Sequence, residues 1–591
     1  MASAYDKASL VMLPHATKEG KLYSVKPDDR SGDFTFSRGT DTATRVNASG
    51  LIEKERSNQV LQSNTFSTTW TPASVTSVTG GQSGYDGSSD AWLLTEDTST
   101  SQHYIYSNYS SFSAVRTCSV YVKTNGRNLQ LRTDGIGTNK GWANFNLSTG
   151  AVGNSGGANL VASKIESISG GWYRCSITLN YSGNYGFGIV AIDNATSSTE
   201  FPSYVGDGTS GLYIQDAQME SGLVATDYIE TTTAAVYEGI TDNLPRLDYS
   251  GGASCPSLLL EPSRTNVVPH SEYLGSSDWN KNASGTGVVP ILTFGEESPE
   301  GLNNAYEVTF NTGAGTSSGD ESMITEAIGS LAAGDYVLSF WAKVSSGTDK
   351  IIARHAGGYL YTSIELTDEW QRFEVKETLA SSGTISIDIG LRRGLANEPL
   401  NSSVTCQIYG IQLEAGSYPT SYIPTYGTSA SRAAESCYKT SISDLIGQAE
   451  GTIFGEVQKL SGNQFASWRF SISDNTNDNW IFLSLEDDFD LRVYIRKNGS
   501  TNNDSQINNK FVDDGVYKIA IAYANNDVAV YVNGSLVYSS STASIPNTTQ
   551  FLISGSGSQT GSSQNKKGKI NQALLFKSRL TNAELAALTT I

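Results

Sequence analysis

The chain is dominated by short runs in which apolar and polar residues alternate. Between Tyr336 and Lys343, apolar side chains alternate with serine, tryptophan and lysine, and Cys118 to Lys123 follows the same period of two. Such a period predicts strands that are buried on one face. Glycine- and serine-rich stretches such as Gly80 to Asp90 separate these runs. Many short strands joined by such turns predict an all-β chain built from antiparallel sandwiches.

The last part of the chain contains further predicted strands, at closer spacing. Glu450 to Val457 and Val516 to Tyr523 are predicted strands because their side chains alternate or are rich in β-branched and aromatic residues. Asn533-Gly534 lies between two apolar runs, which predicts a type I′ hairpin turn. Thr581 with Glu584 three residues later predicts a capping box and one short terminal helix.

Two long stretches of the chain repeat each other. The matched pairs, in chain order, are Glu53-Arg56-Asn58 with Glu261-Arg264-Asn266, Trp70 with Trp279, Ser119–Lys123 with Ser339–Lys343, Trp172–Arg174 with Trp370–Arg372, and Gln218–Glu220 with Gln412–Glu414. Five matches in one order predict two homologous antiparallel jelly-roll modules, residues 53–232 and 261–428, whose loops have diverged. Residues 233–260 are then a connector, residues 1–52 precede the repeat, and residues 429–591 form a third domain.

The repeat also suggests what the cysteines do. Cys118, Cys175 and Cys406 each align with a leucine or phenylalanine of the other module. Cysteines that replace large apolar residues behave as small core residues, and a Cys118–Cys175 disulfide is the alternative. The chain has no C-x-x-C pair and only four scattered histidines, so no conventional zinc site is expected.

Composition and charge exclude several classes of function. The chain of 591 residues has 40 basic and 59 acidic side chains, a net charge of −19. Because phosphate contacts need Lys and Arg, this balance argues against a protein that coats nucleic acid. Residues 1–20 lack the features of a secretory signal, and no apolar run approaches the ~18 residues that cross a bilayer. We therefore expect a protein made in a cytoplasm, without membrane insertion.

Two motifs of the last domain resemble a known family. Tyr531–Val537 (Y-V-N-G-S-L-V) and Arg579–Leu585 (R-L-T-N-A-E-L) look like the concanavalin A-like, laminin-G-type jelly roll. The resemblance covers about 140 residues. It implies two packed antiparallel sheets that often bind sugars and often bind calcium.

Phrases elsewhere resemble tailed-bacteriophage virion proteins. They are Leu22–Pro27, Ser37–Glu53 (beginning S-R-G-T-D-T-A-T-R), Leu258–Asn266 (L-L-L-E-P-S-R-T-N) and Gln412–Thr425 (Q-L-E-A-G-S-Y-P-T-S-Y-I-P-T). The resemblance implies a fibre or appendage in the virion, with carbohydrate-binding-module-like sandwiches and a lectin-like domain that attach to host-surface glycans. It also implies a homo-oligomer, most often a trimer. The alternatives are a head fibre, capsid decoration or tail component with a purely structural role, and a polysaccharide depolymerase.

The amino-terminal segment, residues 1–52, contains an apolar cluster, Leu10 to Pro14, that is too small to fold alone. Within this resemblance, the cluster is expected to pack onto other virion proteins. The competing interpretation is that the segment completes the first sandwich.

Sugar rings stack on aromatic side chains, so exposed Trp and Tyr are the expected contacts. Trp480 follows a loop rich in asparagine and aspartate and is the best candidate, with Trp468 and Tyr494 in the same domain. Trp341 and Tyr121 share strand faces with serine and lysine. Those two are expected either to contact glycan or to pack against a neighbouring domain or subunit, whereas core packing is the competing interpretation for the three aromatic residues of the last domain.

One dense acidic cluster, Glu486, Asp487, Asp488 and Asp490, lies between two predicted strands. It fits a solvated hairpin turn, a calcium loop formed by Asp487, Asp488 and Asp490, or catalytic carboxylates. The sequence lacks the alternating E-x-D-x-E run of concanavalin-like hydrolases and has no G-x-S-x-G motif. We therefore predict that the protein is not an enzyme, and calcium is the only cofactor left open.

Overall fold

The computed structural model describes residues 4–107, 111–134, 141–184, 186–355, 361–395, 401–458, 468–485, 490–512, 515–553 and 568–591. The amino-terminal elements are α1 (Ala4–Lys7), β1 (Leu10–Met12), β2 (Thr17–Lys18), β3 (Lys21–Leu22), β4 (Phe34–Ser37), β5 (Arg45–Val46) and β6 (Ile52–Glu53). Module 1 and the connector contain β7 (Arg56–Asn58), β8 (Thr71–Ala73), β9 (Val75–Gln82), β10 (Ala91–Glu96), β11 (Thr100–Ser101), β12 (His103–Ser107), β13 (Ser111–Asn125), β14 (Asn128–Asp134), β15 (Trp142–Asn146), β16 (Ala151–Gly156), β17 (Leu160–Ser167), a 3₁₀ turn (Ser169–Gly171), β18 (Trp172–Asn184), β19 (Gly186–Ile192), β20 (Tyr204–Val205), β21 (Gly211–Ser221), β22 (Val236–Glu238), β23 (Arg246–Asp248) and β24 (Ser257–Leu260).

The second half is built in the same way. Module 2 contains β25 (Arg264–Asn266), β26 (Trp279–Ser284), β27 (Val288–Glu296), β28 (Ala305–Asn311), β29 (Glu321–Leu331), β30 (Gly334–Lys343), β31 (Asp349–Arg354), β32 (Thr362–Leu366), β33 (Gln371–Leu379), β34 (Gly383–Arg392), β35 (Ser403–Ala415) and β36 (Ala430–Arg432). The C-terminal module contains β37 (Ser436–Lys439), β38 (Glu450–Gln458), β39 (Trp468–Ser473), β40 (Trp480–Leu485), β41 (Leu491–Lys497), β42 (Ser500–Ile507), β43 (Val516–Ala524), β44 (Asp527–Val532), β45 (Ser535–Ser540), β46 (Gln550–Ile553), β47 (Gly568–Phe576) and α2 (Asn582–Thr589). The predicted all-β fold class is confirmed. Within the described residues no helix is long and apolar enough to cross a membrane.

Modules 1 and 2 share the same order for five strands in each sheet, and module 1 adds one edge strand to each of its two sheets. Module 1 packs a sheet of order β9-β10-β21-β13-β18-β17 on one of order β8-β12-β19-β14-β15-β16, and module 2 packs β27-β28-β35-β30-β33 on β26-β29-β34-β31-β32. The register agrees as well, since Ser119 pairs with Gln218 and Ser339 with Gln412, and a bulge follows each serine. The internal repeat inferred from the sequence is therefore a repeat of strand order and register.

A buried asparagine explains one of the repeated residues. Asn58 donates through Nδ2 to the carbonyl oxygen of Ile229 at 2.7 Å, and Asn266 donates to that of Ile423 at 3.0 Å. Both asparagines are fully buried. Each ties the strand that opens its module to the segment that closes it, and a buried amide needs such partners. This closure requires asparagine at the same place in both copies.

The C-terminal module is completed by strands from distant parts of the chain. One of its sheets has the order β2-β3-β4-β37-β46-β39-β40-β41-β42, and the other has β23-β24-β47-β38-β43-β44-β45 with β1 also paired to β47. Leu10 lies opposite Leu575, and Leu258 lies opposite Ile570. Both of its predicted local signals are confirmed, because Asn533 and Gly534 have φ of 47° and 80° and α2 begins with a Thr581–Glu584 capping box.

These pairings differ from the expectations for residues 1–52 and 233–260. Leu10 and Met12 are fully buried in the core of the C-terminal module together with Leu258. The apolar cluster expected to pack onto a virion partner, or to complete the first sandwich, is therefore covered by the C-terminal module. Residues 246–260 likewise supply two of its strands and do not merely connect. Pairing between such distant segments leaves no trace in local periodicity.

All five cysteines are free thiols. Cys118 and Cys175 lie in the core of module 1, and Cys406 lies in the core of module 2, as their alignment with apolar residues predicts. Burial raises the pKa of the Cys118 thiol to about 12, as expected for an unreactive core residue. The alternative of a Cys118–Cys175 disulfide is wrong.

Candidate functional site

Trp480 lies on the outer face of the nine-stranded sheet of the C-terminal module. In β40, Ile481 and Leu483 belong to the core, so the alternate positions Trp480 and Phe482 lie on the opposite face. Strand β41 pairs with β40 so that Tyr494 lies directly opposite Phe482. The pleat and this register together place three aromatic side chains on one face.

These three side chains form one cluster. The ring centroid of Trp480 is 4.9 Å from that of Phe482 and 5.5 Å from that of Tyr494, and the Phe482 and Tyr494 rings stack at 4.9 Å. The guanidinium of Arg469 lies 4.2 Å from the Phe482 centroid, and that of Arg492 lies 5.5 Å from the Tyr494 centroid. Phe482 and Tyr494 are buried whereas Trp480 is half-buried. Trp480 is therefore the ring that a ligand can reach most easily.

Two hairpin loops meet beside Trp480. The backbone N–H of Asn498 donates to Oδ1 of Asn479 at 2.9 Å, and that of Gly499 donates to the carbonyl oxygen of Asp478 at 3.0 Å. These bonds join the β39–β40 loop to the β41–β42 loop, and Trp480 begins β40 immediately after the first loop. The two loops therefore form a single tip at this end of the sheet.

The tip has fixed and exposed polar groups. The carboxylate of Asp474 accepts hydrogen bonds from the backbone N–H of Thr476 at 2.9 Å and from Nδ2 of Asn479 at 2.8 Å, which fixes the turn. Asn475 and Asn477 are exposed. Primary amides can both donate to and accept from sugar hydroxyls. The tip therefore combines exposed amides with an accessible aromatic ring.

The other site residues that the sequence predicts in this module are either outside the described residues or buried. Trp468 begins β39 and pairs with Leu485, but its side chain lies outside the described residues, as do Glu486, Asp487 and Asp488. Asp490 is buried and accepts hydrogen bonds from Nε2 of Gln506 at 2.8 Å and from the backbone N–H of Asn509 at 2.7 Å. Asp490 thus anchors a loop, and its role in a calcium site stays a prediction. Across the described part of the chain, no group of three or more His, Cys, Asp or Glu side chains is arranged to hold a metal ion.

Tyr121 is covered by its own module. The ring of Tyr85 stacks on it at a centroid distance of 3.7 Å and an interplanar angle of 4°. The hydroxyl of Tyr85 donates to Oδ2 of Asp216 at 3.0 Å, which holds the loop in place. The guanidinium of Arg174 lies 5.2 Å from the Tyr121 centroid. Tyr121 therefore packs between Tyr85 and Arg174 of its own module, and neither contact is with a neighbouring domain.

Trp341 packs against another segment of the chain. It makes an edge contact with Tyr422 at 5.6 Å, and the guanidinium of Arg372 lies 4.6 Å from its ring centroid. Ile52, from the amino-terminal segment, belongs to the same apolar cluster. Trp341 also lines a cavity, because the neighbouring segments do not fill the space beside it.

A buried ionic network holds these segments together. Arg246 binds Glu435 through Nε at 2.7 Å and Glu261 through Nη1 at 2.9 Å. Arg38 binds Glu435 at 2.9 Å, and Arg432 binds Glu261 at 2.9 Å. All five side chains are fully buried. Arg38 and Glu261 belong to the phrases that resemble virion proteins, so these phrases form the junction between the amino-terminal segment, module 2 and the C-terminal module.

The cavity beside Trp341 lies at this junction and has a volume of about 290 Å³. Its lining comes from the amino-terminal segment, β23 and β24, module 2 and the C-terminal module: Thr44, Arg45, Val46, Ile52, Asp248, Ser250, Leu259, Glu261, Trp341, Arg372, Ser421, Tyr422 and Lys569. Arg45, Val46 and Ser250 are partly exposed, so the cavity can be reached from solvent. Pockets at such junctions are common places for small ligands.

Comparison with known families assigns the C-terminal module. Residues 459–586 match the concanavalin A-like lectin/glucanases superfamily. The module is thus a concanavalin A-like lectin module, as its two motifs indicate, and its aromatic tip lies within the matched residues. The match says nothing about residues 1–458, and no curated protein matches the chain.

Solved structures with some similarity are sialidase modules and a galectin. They include the CBM40 of Ruminococcus gnavus IT-sialidase bound to α2,3 sialyllactose (16% identity, 26% of this chain, 91% of that chain, TM-score 0.23). NanB sialidase from Streptococcus pneumoniae has 14% identity over 25% of each chain with a TM-score of 0.23. Galectin LEC-6 of Caenorhabditis elegans has 13% identity over 22% of this chain and 85% of that chain, with a TM-score of 0.17.

Sequence reasoning missed Phe482, Arg469 and Arg372. The first two could have been found, since W-I-F places Phe482 on the same face as Trp480, and W-R-F places Arg469 on the face opposite the core residue Phe470. Arg372 is one of the repeated residues, but its contact with Trp341 depends on the pairing of β30 with β33. No local pattern reports that pairing.

Proposed function

We propose that this chain is a bacteriophage virion protein, a fibre or appendage whose lectin-like modules attach to glycans on the host surface. The observation that carries the proposal is the tip of the lectin module, where a loop with exposed amides directly precedes the half-buried ring of Trp480. The virion assignment is supported by the phrases that resemble phage proteins, several of which form the interlocked junction. In this proposal the protein binds without catalysis, is made in the host cytoplasm and is carried on the particle.

The tip suits a sugar for two physical reasons. The apolar C–H face of a sugar ring can stack on the indole of Trp480, while amides such as Asn477 can bond its hydroxyls. A shallow tip of this kind gives a weak individual site. Several copies on one particle would raise the overall avidity, so we propose a homo-oligomer, with a trimer as the expected form. Since β1 is buried in the C-terminal module, contact with other virion proteins would use a different surface.

The proposal is tested by binding of the full chain to purified host-surface polysaccharide and by competition with phage adsorption. Trp480→Ala is expected to weaken binding about five- to thirtyfold, because stacking and burial of one ring contribute on the order of 1–2 kcal/mol. Tyr237→Ala removes another exposed aromatic ring, on β22, and should leave binding unchanged. Equal binding by Trp480→Ala and the parent chain would contradict the assignment of the site.

Two other outcomes separate the alternatives. A particle that lacks the protein and still adsorbs normally would favour a head fibre, capsid decoration or tail component with a structural role. Release of oligosaccharides from the host polysaccharide by the purified chain would favour a depolymerase. Microscopy of labelled protein on the intact particle would locate it on the head or on the tail.

A further inference from the structure

One positively charged side chain in the wall of the junction cavity differs from the other charged side chains there. Lys569 is 3.1 Å from Oδ2 of Asp248, Glu261 is bound by Arg246 and Arg432, and Arg45 contacts Glu53 at 2.8 Å. Among the described residues, these charges therefore have partners of opposite sign.

Among the described residues, the hydrogen-bond acceptors of Arg372 are neutral, although the carboxylates of Glu414 and Glu261 also favour its charged form. Its Nη1 donates to the carbonyl oxygen of Thr420 at 2.7 Å, and its Nη2 donates to Oγ of Ser339 at 2.9 Å. Its Nε is buried and has no hydrogen-bond partner among the residues that the structure describes. Burial lowers the pKa of this guanidinium, but arginine remains charged in proteins. A guanidinium without a bonded carboxylate, in the wall of a cavity, favours an anionic ligand.

The duplicated module distinguishes a structural arginine from a binding one. Arg174 of module 1 donates to Oγ of Ser119 at 3.1 Å, as Arg372 does to Ser339. Holding this serine is therefore the shared structural role. However, the aromatic partner of Arg174, Tyr121, is covered by Tyr85, and no residue of module 1 lines the cavity. The additional feature of module 2 is access to an aromatic ring beside the guanidinium.

We propose that the junction cavity binds an acidic sugar, a hexuronate-type residue that stacks on Trp341 and directs its carboxylate to Arg372. The volume of about 290 Å³ is close to the lower end of small-ligand pockets, roughly 300–1,000 Å³. It therefore suits a terminal or single sugar unit. The choice of a sugar as the ligand rests on the proposed function in glycan binding. The cavity itself is a separate site from the lectin tip, and its residues take no part in the tip.

The test compares two ligands that differ only in the carboxylate, methyl β-D-glucuronide and methyl β-D-glucoside, with acetate as a third. Binding to the full chain is followed by ligand-observed NMR and by tryptophan fluorescence. We expect the glucuronide to bind at least tenfold more tightly than the glucoside and than acetate, because it alone provides both the ring and the charge. Equal binding of the two sugars, or equal binding of acetate, would overturn the proposal.

Matched variants assign the site. Arg372→Gln should remove the preference for the glucuronide, Arg372→Lys should keep part of it, and Arg174→Gln, which loosens the equivalent serine in module 1, should leave it unchanged. If Arg372→Gln fails to fold, the graded loss with Arg372→Lys and the loss of both sugars with Trp341→Ala decide the question. An undiminished preference in Arg372→Lys and Trp341→Ala would overturn the assignment.

Trp480→Ala keeps this inference separate from the proposed function. It should weaken polysaccharide binding at the lectin tip and leave glucuronide binding intact. Polysaccharide binding without glucuronide binding would refute only the acidic-sugar site. Glucuronide binding without host-polysaccharide binding would support the cavity and contradict the proposed attachment function.

Discussion

Glu326 is a buried carboxyl group of module 2, and its removal should stabilise that module in a pH-dependent way. It lies on β29 between the core residues Ile324 and Ile328 and is 1% exposed. Neither carboxyl oxygen has a hydrogen-bond partner among the described residues. Burial, followed by the charge of Asp278, raises its pKa from 4.5 to about 8. The fold therefore holds this group neutral at pH 7.

The size of the effect on the free energy of unfolding follows from the pKa values of Glu326 in the folded and unfolded states. Because the folded state binds the proton more tightly, unfolding becomes easier as the pH rises above the unfolded pKa of 4.5. The free energy of unfolding falls by about 1.4 kcal/mol per pH unit, and the decrease levels off near pH 8 at about 5 kcal/mol in total. At pH 7 the decrease is about 3 kcal/mol. The stability attributable to the neutral carboxyl is thus fully present below pH 4.5 and lost at alkaline pH.

The variant Glu326→Met keeps the shape and removes the titrating group. Urea unfolding of the parent and the variant is compared at pH 5, 6, 7 and 8, so that titrations common to both chains cancel. We expect the stability difference in favour of the variant to grow by about 1.4 kcal/mol per unit. Glu369→Met, at an exposed position of the same module, should show no such trend. A difference for Glu326→Met that does not change with pH would refute the reasoning.

Three further predictions follow from other buried contacts. Lys54 bridges the buried Glu272 and Glu300 at 2.8 and 2.7 Å, so Lys54→Met should cost about 3–5 kcal/mol in urea unfolding; an unchanged midpoint would contradict this. Leu10→Ala should lower the stability of the lectin module by about 2–5 kcal/mol, seen as faster amide exchange in β47; an unchanged exchange rate would show that β1 is dispensable. Cys255 is exposed and the other four thiols are buried, so a thiol reagent should label one cysteine in the native chain and five in denaturant; more than one native label would contradict the packing.

Several features could be predicted from the sequence because they are local or repeated. The strand periodicity around Phe340, the Asn533-Gly534 turn and the Thr581 cap each depend on neighbouring residues, and all three are present. The internal repeat was also visible, because a core that must close in the same way twice retains residues such as Asn58 and its counterpart. Trp480 and Tyr494 were correctly placed in one module, and the structure brings them together.

The all-β class, the duplication and the lectin-like motifs are visible in the amino-acid sequence. Other features appear only in the folded chain: Leu10 pairs with Leu575, Tyr121 is covered while Trp341 lines a cavity, and Arg372 lies on Trp341. This difference arises because periodicity and turn chemistry act over a few residues, whereas sheet partners are selected by burial across the whole chain. A strand's apolar face shows that it must be covered, but only the folded chain determines which segment covers it.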